Sequence, residues 1–349
     1  MKKHENEPAI KLLEEAARTF NERFKGLRDL ELVLPAQQSQ LGTRRHDARV
    51  SLVSGKNTIS YQVEIKPRIS HAVRHLLVMQ KAASDRPFLL VTRYMNPEMA
   101  ERFIEDGLEF IDTAGNAYIN LGFLKIISKG NPLKATAPLA SPRLFKGSGL
   151  KVVFALLSQP DLVIETLREI SRKSGVSLGA AAGIMDELKS RLYLIEDDRG
   201  ARRLIRKKEL FEGWVTAYPE QLRPKIHLGK YRGEHGWWHE QALEPDWAQW
   251  GGEIAAERLT NYLFPQVVTV YLSAPRLNDF LSGNKLSLDN KGNVEILGRF
   301  WPTAPQTPAQ DLVHPLLIYA DLMASGVDRN IEAAKDIYDR HADRYLRED

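Results

Sequence analysis

The sequence of 349 residues contains no cysteine. This absence excludes disulfide bonds and thiolate metal sites, and it is typical of proteins from the reducing cytoplasm. The sequence also lacks any apolar run of the roughly 20 residues that a membrane-spanning helix needs. Its N-terminal residues have the pattern of an amphipathic helix rather than of a signal peptide. We therefore expect a cytoplasmic protein without membrane spans.

A large excess of one charge is also missing, because 49 lysine and arginine residues stand against 45 aspartate and glutamate residues. The formal net charge of +4 is compatible with nucleic-acid binding but indicates it only weakly. The hydrophobic content of 43% is ordinary for a globular protein, and the length predicts two or three domains.

The most informative stretch is 147–208, where three helical patterns follow one another. Thr166 and Glu169 have the spacing of a capping box, which predicts the start of the second helix. Gly175 allows a sharp turn, and Ser177 is suited to N-cap the third helix. The pattern predicts a helix-turn-helix with its third helix as the recognition helix.

The period then changes, and residues 192–195 and 202–206 are predicted to pair as a hairpin around the turn at 197–200. The tip and return strand of this hairpin are basic and suit phosphate contacts. These basic residues are Arg199, Arg202, Arg203, Arg206, Lys207 and Lys208. We interpret the whole stretch as a winged helix-turn-helix that binds DNA. Two alternatives stay open: a three-helix module for protein contact, and a hairpin whose charges are only solvated.

The predicted recognition helix has an unusual start. It begins Leu178-Gly-Ala-Ala-Ala-Gly183, without the Arg, Asn or Gln side chains that commonly read base edges. We expect base specificity to come from the hairpin, from close approach of the helix backbone, or from a second copy in a dimer.

Residues 1 to about 130 are predicted to alternate between strands and helices after a first helix at Pro8–Phe24. A hairpin joins Asp47–Val53 to Thr58–Lys66, and a helix at Ile69–Ala83 follows. This alternation predicts a partly parallel sheet that helices cover. Further along, Asp112 and Asn116 are either functional polar groups at the sheet edge or, as we favour, residues that shape a turn.

Three residues of this region suggest chemistry. Asp47 opens one strand, while Glu64 and Lys66 lie two apart on the next strand and therefore share a face of the sheet. This arrangement resembles the PD-(D/E)xK nuclease superfamily. The resemblance implies that Asp47 and Glu64 bind Mg²⁺ and that Lys66 helps to position the attacking water.

The superfamily also uses an acid from the first helix, and Glu14, Glu15 and Glu22 are the candidates here. His46 stands where the superfamily has a proline before the aspartate. Two alternatives to catalysis stay open, because a fold does not determine a function. One is a nuclease-like scaffold reused for binding, and the other is a salt-bridged, exposed sheet face.

The C-terminal third is predicted to be a small mixed α/β domain. In it, residues 285–288 are expected to pair with residues 292–297 across a turn. The preceding basic stretch 223–232 is expected to extend the DNA-binding face.

The fold class that we predict is mixed α/β (α+β). The predicted parts are a restriction-endonuclease-like domain (1–130), a linker rich in Pro, Gly, Ser and Ala (131–147), a winged helix-turn-helix (148–232) and the C-terminal domain (233–349).

Several segments resemble one known family, the AbiEi antitoxins of type IV toxin-antitoxin systems. The segments are VEIKP and FIDTAGNAYI in the N-terminal part, TLREISRKSGVS in the helix-turn-helix, and GGEIAAERLTNYL, VVTVYL, GNVEILGRFWP and HPLLIYADLMASGVDRNIEAAKDIY in the C-terminal part.

The resemblance implies a transcriptional regulator that binds inverted repeats in its own promoter and represses its operon. It also implies a partner toxin of the nucleotidyltransferase-like AbiEii type, which is countered without any need for direct contact. Such operons serve phage defence by abortive infection or stabilise mobile elements. No cofactor is implied, and a homodimer would suit a palindromic operator.

On this interpretation, Arg199, Arg202, Arg203 and Arg206 contact phosphates, while Ser177 and Lys189 flank the recognition helix. Two other functions stay open. One is a Mg²⁺-dependent nuclease that the winged helix guides to DNA, and the other is an adaptor whose basic hairpin binds an acidic toxin.

Overall fold

The computed structural model describes residues 7–27, 29–34, 48–82, 86–133, 143–197, 200–234, 236–239, 241–302 and 309–347. The chain divides into two compact units, Met1–Leu139 and Ala140–Asp349. Helices and strands alternate in both units, which confirms the predicted mixed α/β class. Among the described residues, no helix is both long enough and apolar enough to span a membrane.

The first unit is built on a seven-stranded sheet whose strands follow one another in chain order. The β3–β4 and β4–β5 pairs are parallel and the other pairs are antiparallel, as expected for a partly parallel sheet. The elements are α1 (Glu7–Arg23), β1 (Glu31–Val33), β2 (Ala48–Ser54), β3 (Asn57–Ile65), α2 (His71–Ala82), β4 (Phe88–Thr92), α3 (Pro97–Glu105), β5 (Glu109–Asp112), β6 (Ala117–Leu121) and β7 (Leu124–Ser128).

Each face of this sheet has its own apolar cluster. Phe20 of α1 belongs to the cluster that contains Val63 of β3. Leu77 of α2 and Phe103 of α3 belong to a second cluster, which contains Leu90 of β4. Because successive strand residues point to opposite faces, the sheet separates α1 from α2 and α3.

The second unit begins with the three helices and the hairpin that the sequence predicts. These elements are α4 (Gly147–Ser158), α5 (Leu167–Ser174), α6 (Leu178–Ser190), β8 (Leu194–Glu196) and β9 (Arg202–Leu204). We call residues 147–204 the helix–hairpin segment. A long helix, α7 (Lys207–Gln221), leaves the hairpin.

A five-stranded sheet with order β11-β12-β14-β10-β13 forms the rest of this unit. Its β12–β14 pair is parallel. The elements are α8 (Arg223–Ile226), β10 (His227–Arg232), β11 (Ala248–Gly251), α9 (Gly252–Thr260), β12 (Val268–Leu272), α10 (Leu277–Gly283), β13 (Ser287–Leu288), β14 (Val294–Gly298), α11 (Pro315–Ser325), α12 (Asp328–Ile337) and α13 (Asp343–Leu346).

The predicted pairing of 285–288 with 292–297 is wrong, because β10 lies between β13 and β14 and pairs with both. The turn before β14 fits closely around β10: a Cβ atom added at Gly292 would lie 2.0 Å from the Tyr231 carbonyl oxygen. Glycine therefore permits the insertion of β10, and the local turn signal does not reveal it.

The stretch 223–232 also differs from expectation. Its strand β10 lies in the C-terminal sheet, although the predicted boundary at residue 232 assigns it to the winged helix. Arg223 donates two hydrogen bonds to Glu295, at 2.8 and 2.6 Å, and Arg232 pairs with Asp289 at 2.7 Å. These two arginines therefore have partners in the C-terminal part of the unit.

An aromatic core joins the helix–hairpin segment to the rest of the second unit. The ring of Phe154 on α4 lies 5.6 Å from Trp214 of α7, 5.1 Å from Phe300, 5.9 Å from Trp301 and 6.1 Å from His314, measured between centroids. Large aromatic side chains contribute most to such cores because each buries a large apolar area. The helices of the segment are thus packed on the C-terminal elements.

A buried polar network reinforces this connection. The hydroxyl groups of Tyr218 on α7 and Tyr271 on β12 lie 2.5 Å apart, and they donate to Asp321 of α11 at 2.8 and 2.9 Å. Burial raises the pKa of Asp321, while the Arg223 guanidinium and both hydroxyls oppose that shift. A buried polar group is tolerated when it is hydrogen-bonded in this way, so the network links α7 to the sheet and to α11.

Truncation of Phe154 tests the shared core. We expect Phe154→Ala to lower the free energy of unfolding of the full chain by about 3–5 kcal/mol, since the substitution leaves a cavity among rings. Ile164, which is 63% exposed, gives the control variant Ile164→Ala, with an expected change within about 0.5 kcal/mol. Denaturant titration measures both, and similar small losses in the two variants would contradict a shared core.

The burial of His314 predicts that the free energy of unfolding depends on pH. It is buried, its Nδ1 accepts a hydrogen bond from the Leu316 amide at 3.3 Å, and burial lowers its pKa to about 3. The unfolded chain therefore takes up a proton on this residue between pH 6.5 and about 3, and the folded chain does not. Stability from this group is present at pH 7 and is lost as the pH falls through that window.

We expect His314→Asn to keep an acceptor for the helix start but to reduce this pH dependence. Between pH 6 and 4, the free energy of unfolding should fall less steeply in the variant, by up to about 1.4 kcal/mol per pH unit. Denaturant titrations across this range provide the comparison. Equal slopes in the two proteins would show that His314 is not held neutral by burial.

Candidate nucleic-acid interface

Local capping fixes the turn between α5 and α6. The hydroxyl of Thr166 accepts a hydrogen bond from the Glu169 amide at 3.2 Å, and that of Ser177 accepts one from the Ala180 amide at 3.3 Å. Gly175 ends α5 with φ +65°, in the left-handed region that favours glycine. The predicted roles of these three residues at the helix ends are confirmed.

The turn also packs on the C-terminal part of the unit. A Cβ atom added at Gly175 would lie 3.2 Å from a ring carbon of Pro302. The start of α6 thus has a fixed position, because its cap, the turn before it and the neighbouring proline are all in place.

Between Gly179 and Gly183, the first turns of α6 carry only alanine side chains. Ile184, Met185 and Leu188 are buried against the neighbouring helices. Around Gly179 and Gly183, by contrast, a Cβ atom would meet nothing within 4 Å. Because residues four apart lie on the same helix face, this smooth surface allows another molecule to approach the helix backbone closely.

The return strand of the hairpin carries two consecutive arginines, whose side chains point to opposite faces of the strand. In the β8–β9 pair, Arg202 stands opposite Glu196, and Arg203 stands opposite Ile195. The guanidinium of Arg202 donates to the carbonyl oxygen of Glu165, just before α5, whereas Arg203 is exposed. Arg199 lies outside the described residues.

Lys189, at the end of α6, pairs with Glu196 of the hairpin at 2.6 Å. This ammonium group lowers the pKa of Glu196 through a hydrogen bond and through charge attraction. Both side chains are well exposed. The ion pair is therefore screened by solvent and exchangeable, and it links the helix to the hairpin without removing Lys189 from the surface.

Arg206 has a structural task that the sequence pattern does not reveal. It precedes α7 in the left-handed conformation, with φ 56°. Its guanidinium donates to both carboxylate oxygens of Glu209, at 2.8 and 2.6 Å, and lies 4.9 Å from the centroid of the Tyr193 ring. These contacts fix the base of the hairpin.

Lys207 and Lys208 differ in their exposure to solvent. Lys207 is 7% exposed, and its ammonium group donates to the Arg347 carbonyl oxygen at 3.0 Å. A buried ammonium group cannot reach a phosphate, so Lys207 is not available for the DNA contact predicted for it. Lys208 is exposed and pairs with Asp343 at 2.8 Å.

The sequence did not predict the partners of Arg202 and Lys208. Glu165 and Asp343 are far along the chain from the arginine and lysine that they contact. No local spacing connects them, because only packing brings them together. Asp321 is the one acid in the apolar sequence of α11. Such a residue predicts buried hydrogen-bond partners, because a carboxylate is not tolerated in a core without them.

In the first unit, Glu64 and Lys66 form an ion pair at 3.0 Å with both side chains largely buried. They alternate with Val63 and Ile65, which pack in the cluster of α1, and so they point to the opposite face. Glu14, Glu15 and Glu22 of α1 therefore lie across the sheet from Glu64. Asp47 lies outside the described residues.

Within the described part of the chain, no three His, Asp or Glu side chains come together as a metal site. For Mg²⁺, the described residues supply one of the two predicted carboxylate ligands, Glu64, and Lys66 already neutralises it. Catalysis by Asp47, Glu64 and Lys66 stays a prediction.

Asp112 shapes the turn after β5, as favoured from the sequence. Its carboxylate accepts hydrogen bonds from the amides of Met95, Ala114 and Asn116, each at 2.8 Å, and from the Asn116 side chain at 2.7 Å. Burial raises the pKa of Asp112, and these hydrogen bonds oppose the shift. Its oxygens are thus used within the loop.

Comparison with known proteins places the C-terminal part of the chain in a class of regulators. Residues 203–346 match a family of transcriptional regulators that act as antitoxins in type IV toxin-antitoxin systems. The family is the AbiEi antitoxins, so the resemblance predicted from the sequence is confirmed over these residues. The match covers β9, α7 and the C-terminal sheet. No curated protein and no solved structure matches the chain.

The two neighbouring lysines at the start of α7 test these assignments. We expect Lys207→Ala to lower the free energy of unfolding by about 1–3 kcal/mol, since it removes a buried hydrogen bond and a packed side-chain stem. Lys208→Ala should change it by less than about 1 kcal/mol, because an exposed ion pair stabilises little. Denaturant titration ranks the two variants, and the reverse order would contradict the assignment.

Proposed function

We propose that the helix–hairpin segment is a winged helix-turn-helix that binds double-stranded DNA, and that the protein represses its own promoter as a type IV antitoxin. The observation that supports this proposal most is that α6 is followed directly by a hairpin whose return strand carries two consecutive arginines, Arg202 and Arg203. A helix that fits the major groove next to a basic hairpin is a common arrangement for DNA recognition.

The surface of α6 defines how the helix would be used. With glycine at 179 and 183, the helix brings its backbone close to DNA and offers few side chains to base edges. The exposed helix start at Ser177 directs backbone amides outward, and such amides favour a phosphate group. We therefore assign α6 to groove shape and phosphate contact.

Base discrimination then depends on other features. The hairpin and the sequence-dependent shape of DNA are two sources. A second bound copy is the third, since inverted repeats present two equivalent half-sites. We propose that two copies occupy the paired repeats of the promoter.

The ion pairs of the interface suit reversible binding. Lys189 is held by Glu196, and Lys208 by Asp343, in exposed positions where phosphate can replace the carboxylate. Arg206 stays with Glu209 and supports the hairpin from within. The residues that we propose for phosphate contact are therefore Ser177, Lys189, Arg199, Arg202, Arg203 and Lys208.

The antitoxin role follows from the family of residues 203–346. We propose that the partner is a nucleotidyltransferase-like toxin, and that repression limits its production. Because the helix–hairpin segment shares its core with the C-terminal elements through Phe154, one folded unit would serve both regulation and antitoxicity.

A charge-matched pair of double variants tests DNA binding. We expect Arg202→Ala with Arg203→Ala to weaken binding to the protein's own promoter. The plot of log K against log salt concentration should also become less steep, by about one for each lost phosphate contact. The control is the double variant Arg232→Ala with Arg340→Ala. These two arginines are exposed and lie outside the helix–hairpin segment, and their replacement removes the same number of positive charges.

Fluorescence anisotropy across a salt series gives the slopes. Equal slopes in the wild type and the Arg202/Arg203 variant would remove the hairpin from the interface. Equal effects of the two double variants would show that only net charge matters.

A further inference from the structure

One large apolar side chain of α6 lies at the surface. Leu178 is the first residue of this helix, and it is 46% exposed. The buried side chains of α6 are instead those of Ala181, Ile184, Met185 and Leu188. Packing in the core therefore does not account for a leucine at the start of the helix.

The direction of this leucine follows from helix geometry. The Cα–Cβ bonds of an α-helix tilt towards its N-terminus, so that a side chain covers the turn before its own Cα atom. Because α6 begins at Leu178, the leucine side chain projects beyond the start of the helix. The hydroxyl of Ser177 caps this start, and Gly175 ends the preceding helix in the left-handed conformation. Leu178 is therefore presented from a helix end whose position is fixed.

The residues around Leu178 leave it accessible to a large molecule. At Gly179 and Gly183, a Cβ atom would meet nothing within 4 Å. Ala182, which lies one turn after Leu178 on the same flank of the helix, is partly exposed. The first half of α6 thus presents backbone and methyl groups, and Leu178 carries the largest side chain among them.

The charges of α6 favour entry of this first half into a groove of DNA. Asp186, in the second half, is exposed, and phosphates repel its carboxylate. The dipole of the helix is positive at its start, which favours the approach of that end to DNA. Lys189, near the end of the helix, is suited to phosphates at the border of the groove. Recognition helices commonly contact base edges through their N-terminal residues, so Leu178 is the α6 side chain placed to reach a base.

We infer that Leu178 contacts the C5-methyl group of a thymine in the major groove, and that each half-site carries a thymine opposite the start of α6. This step rests on the proposed function. Thymine alone among the four standard DNA bases presents a methyl group there, and apolar side chains contact it. The leucine gains by leaving water at that contact, whereas the amino group of a cytosine would lose a hydrogen-bond partner beside it. Leu178 therefore adds one direct base contact to the shape and phosphate contacts of α6.

Deoxyuridine is the probe that tests this contact, because it pairs like thymidine and lacks only the C5-methyl group. Thymines of the promoter repeats are replaced by deoxyuridine at one symmetric pair of positions at a time. Fluorescence anisotropy then measures the affinity of the full-length protein. We expect the wild type to lose affinity at the positions opposite α6, by about fourfold for each methyl group removed.

Variants of Leu178 assign the methyl contact to this residue. Leu178→Ala should bind the unmodified promoter more weakly and should no longer distinguish thymine from uracil at those positions. Leu178→Met keeps an unbranched apolar side chain and should still prefer thymine.

The matched control is Leu192→Ala. Leu192 is 48% exposed and follows α6 at its other end, about 20 Å along the helix from Leu178. This variant should prefer thymine as strongly as the wild type does. Similar midpoints of denaturant unfolding for the two alanine variants check that both are folded.

The outcomes separate this inference from the proposed function. If the wild type binds the promoter and tolerates uracil at every position, the thymine contact is overturned while the repressor proposal stands. A preference for thymine that Leu178→Ala keeps in full has the same consequence. If the wild type does not distinguish its promoter from unrelated DNA, the proposed function fails, and the thymine contact fails with it.

Discussion

The packing of Phe154 between Trp214 and the Phe300–Trp301 pair is the contact on which the second unit depends. Through it, the helices of the helix–hairpin segment use the C-terminal elements to complete their core. A three-helix segment of this size buries little apolar area by itself, so a shared core supplies what it lacks. The hydrogen bonds among Tyr218, Tyr271 and Asp321 make this packing more specific, because they require a defined position of α7 relative to β12 and α11. The positions of α6 and the hairpin follow from this arrangement.

Four cations in and just after the helix–hairpin segment fall into two groups by their partners. Lys207 and Arg206 are bound to groups that stabilise the start of α7, and their charges serve the fold. Lys189 and Lys208 form exposed pairs that phosphate can replace. A cluster of basic residues in a sequence therefore overstates the charge available to DNA, and the number of usable contacts depends on which acids fold against the cluster.

Local features of the fold were predictable, because they depend on residues within one turn of each other. Thr166, Gly175 and Ser177 are confirmed at the helix ends for this reason, and the hairpin of β2 and β3 in the first unit is confirmed as well. Distant contacts were not predictable. The insertion of β10 beside Gly292, the partnership of Lys207 with Arg347, and the position of α1 across the sheet from Glu64 all depend on packing between remote segments.

The same distinction applies to the candidate site. The sequence located the basic hairpin and the capped helix beside it, whereas the buried state of Lys207 required the folded chain. In the first unit, the Glu64–Lys66 spacing correctly placed both residues on one face. Their ion pair agrees with the salt-bridged alternative, but that alternative expected an exposed face, whereas both side chains are largely buried.

The most direct test of the account is a footprint on the DNA upstream of this gene's operon, with and without Mg²⁺. We predict protection of paired repeats while both strands stay intact in Mg²⁺, with the same footprint for Lys66→Ala. Cleavage that requires Mg²⁺ and disappears in Lys66→Ala would contradict it. The first unit would then be the active part, and the helix–hairpin segment would serve to target it.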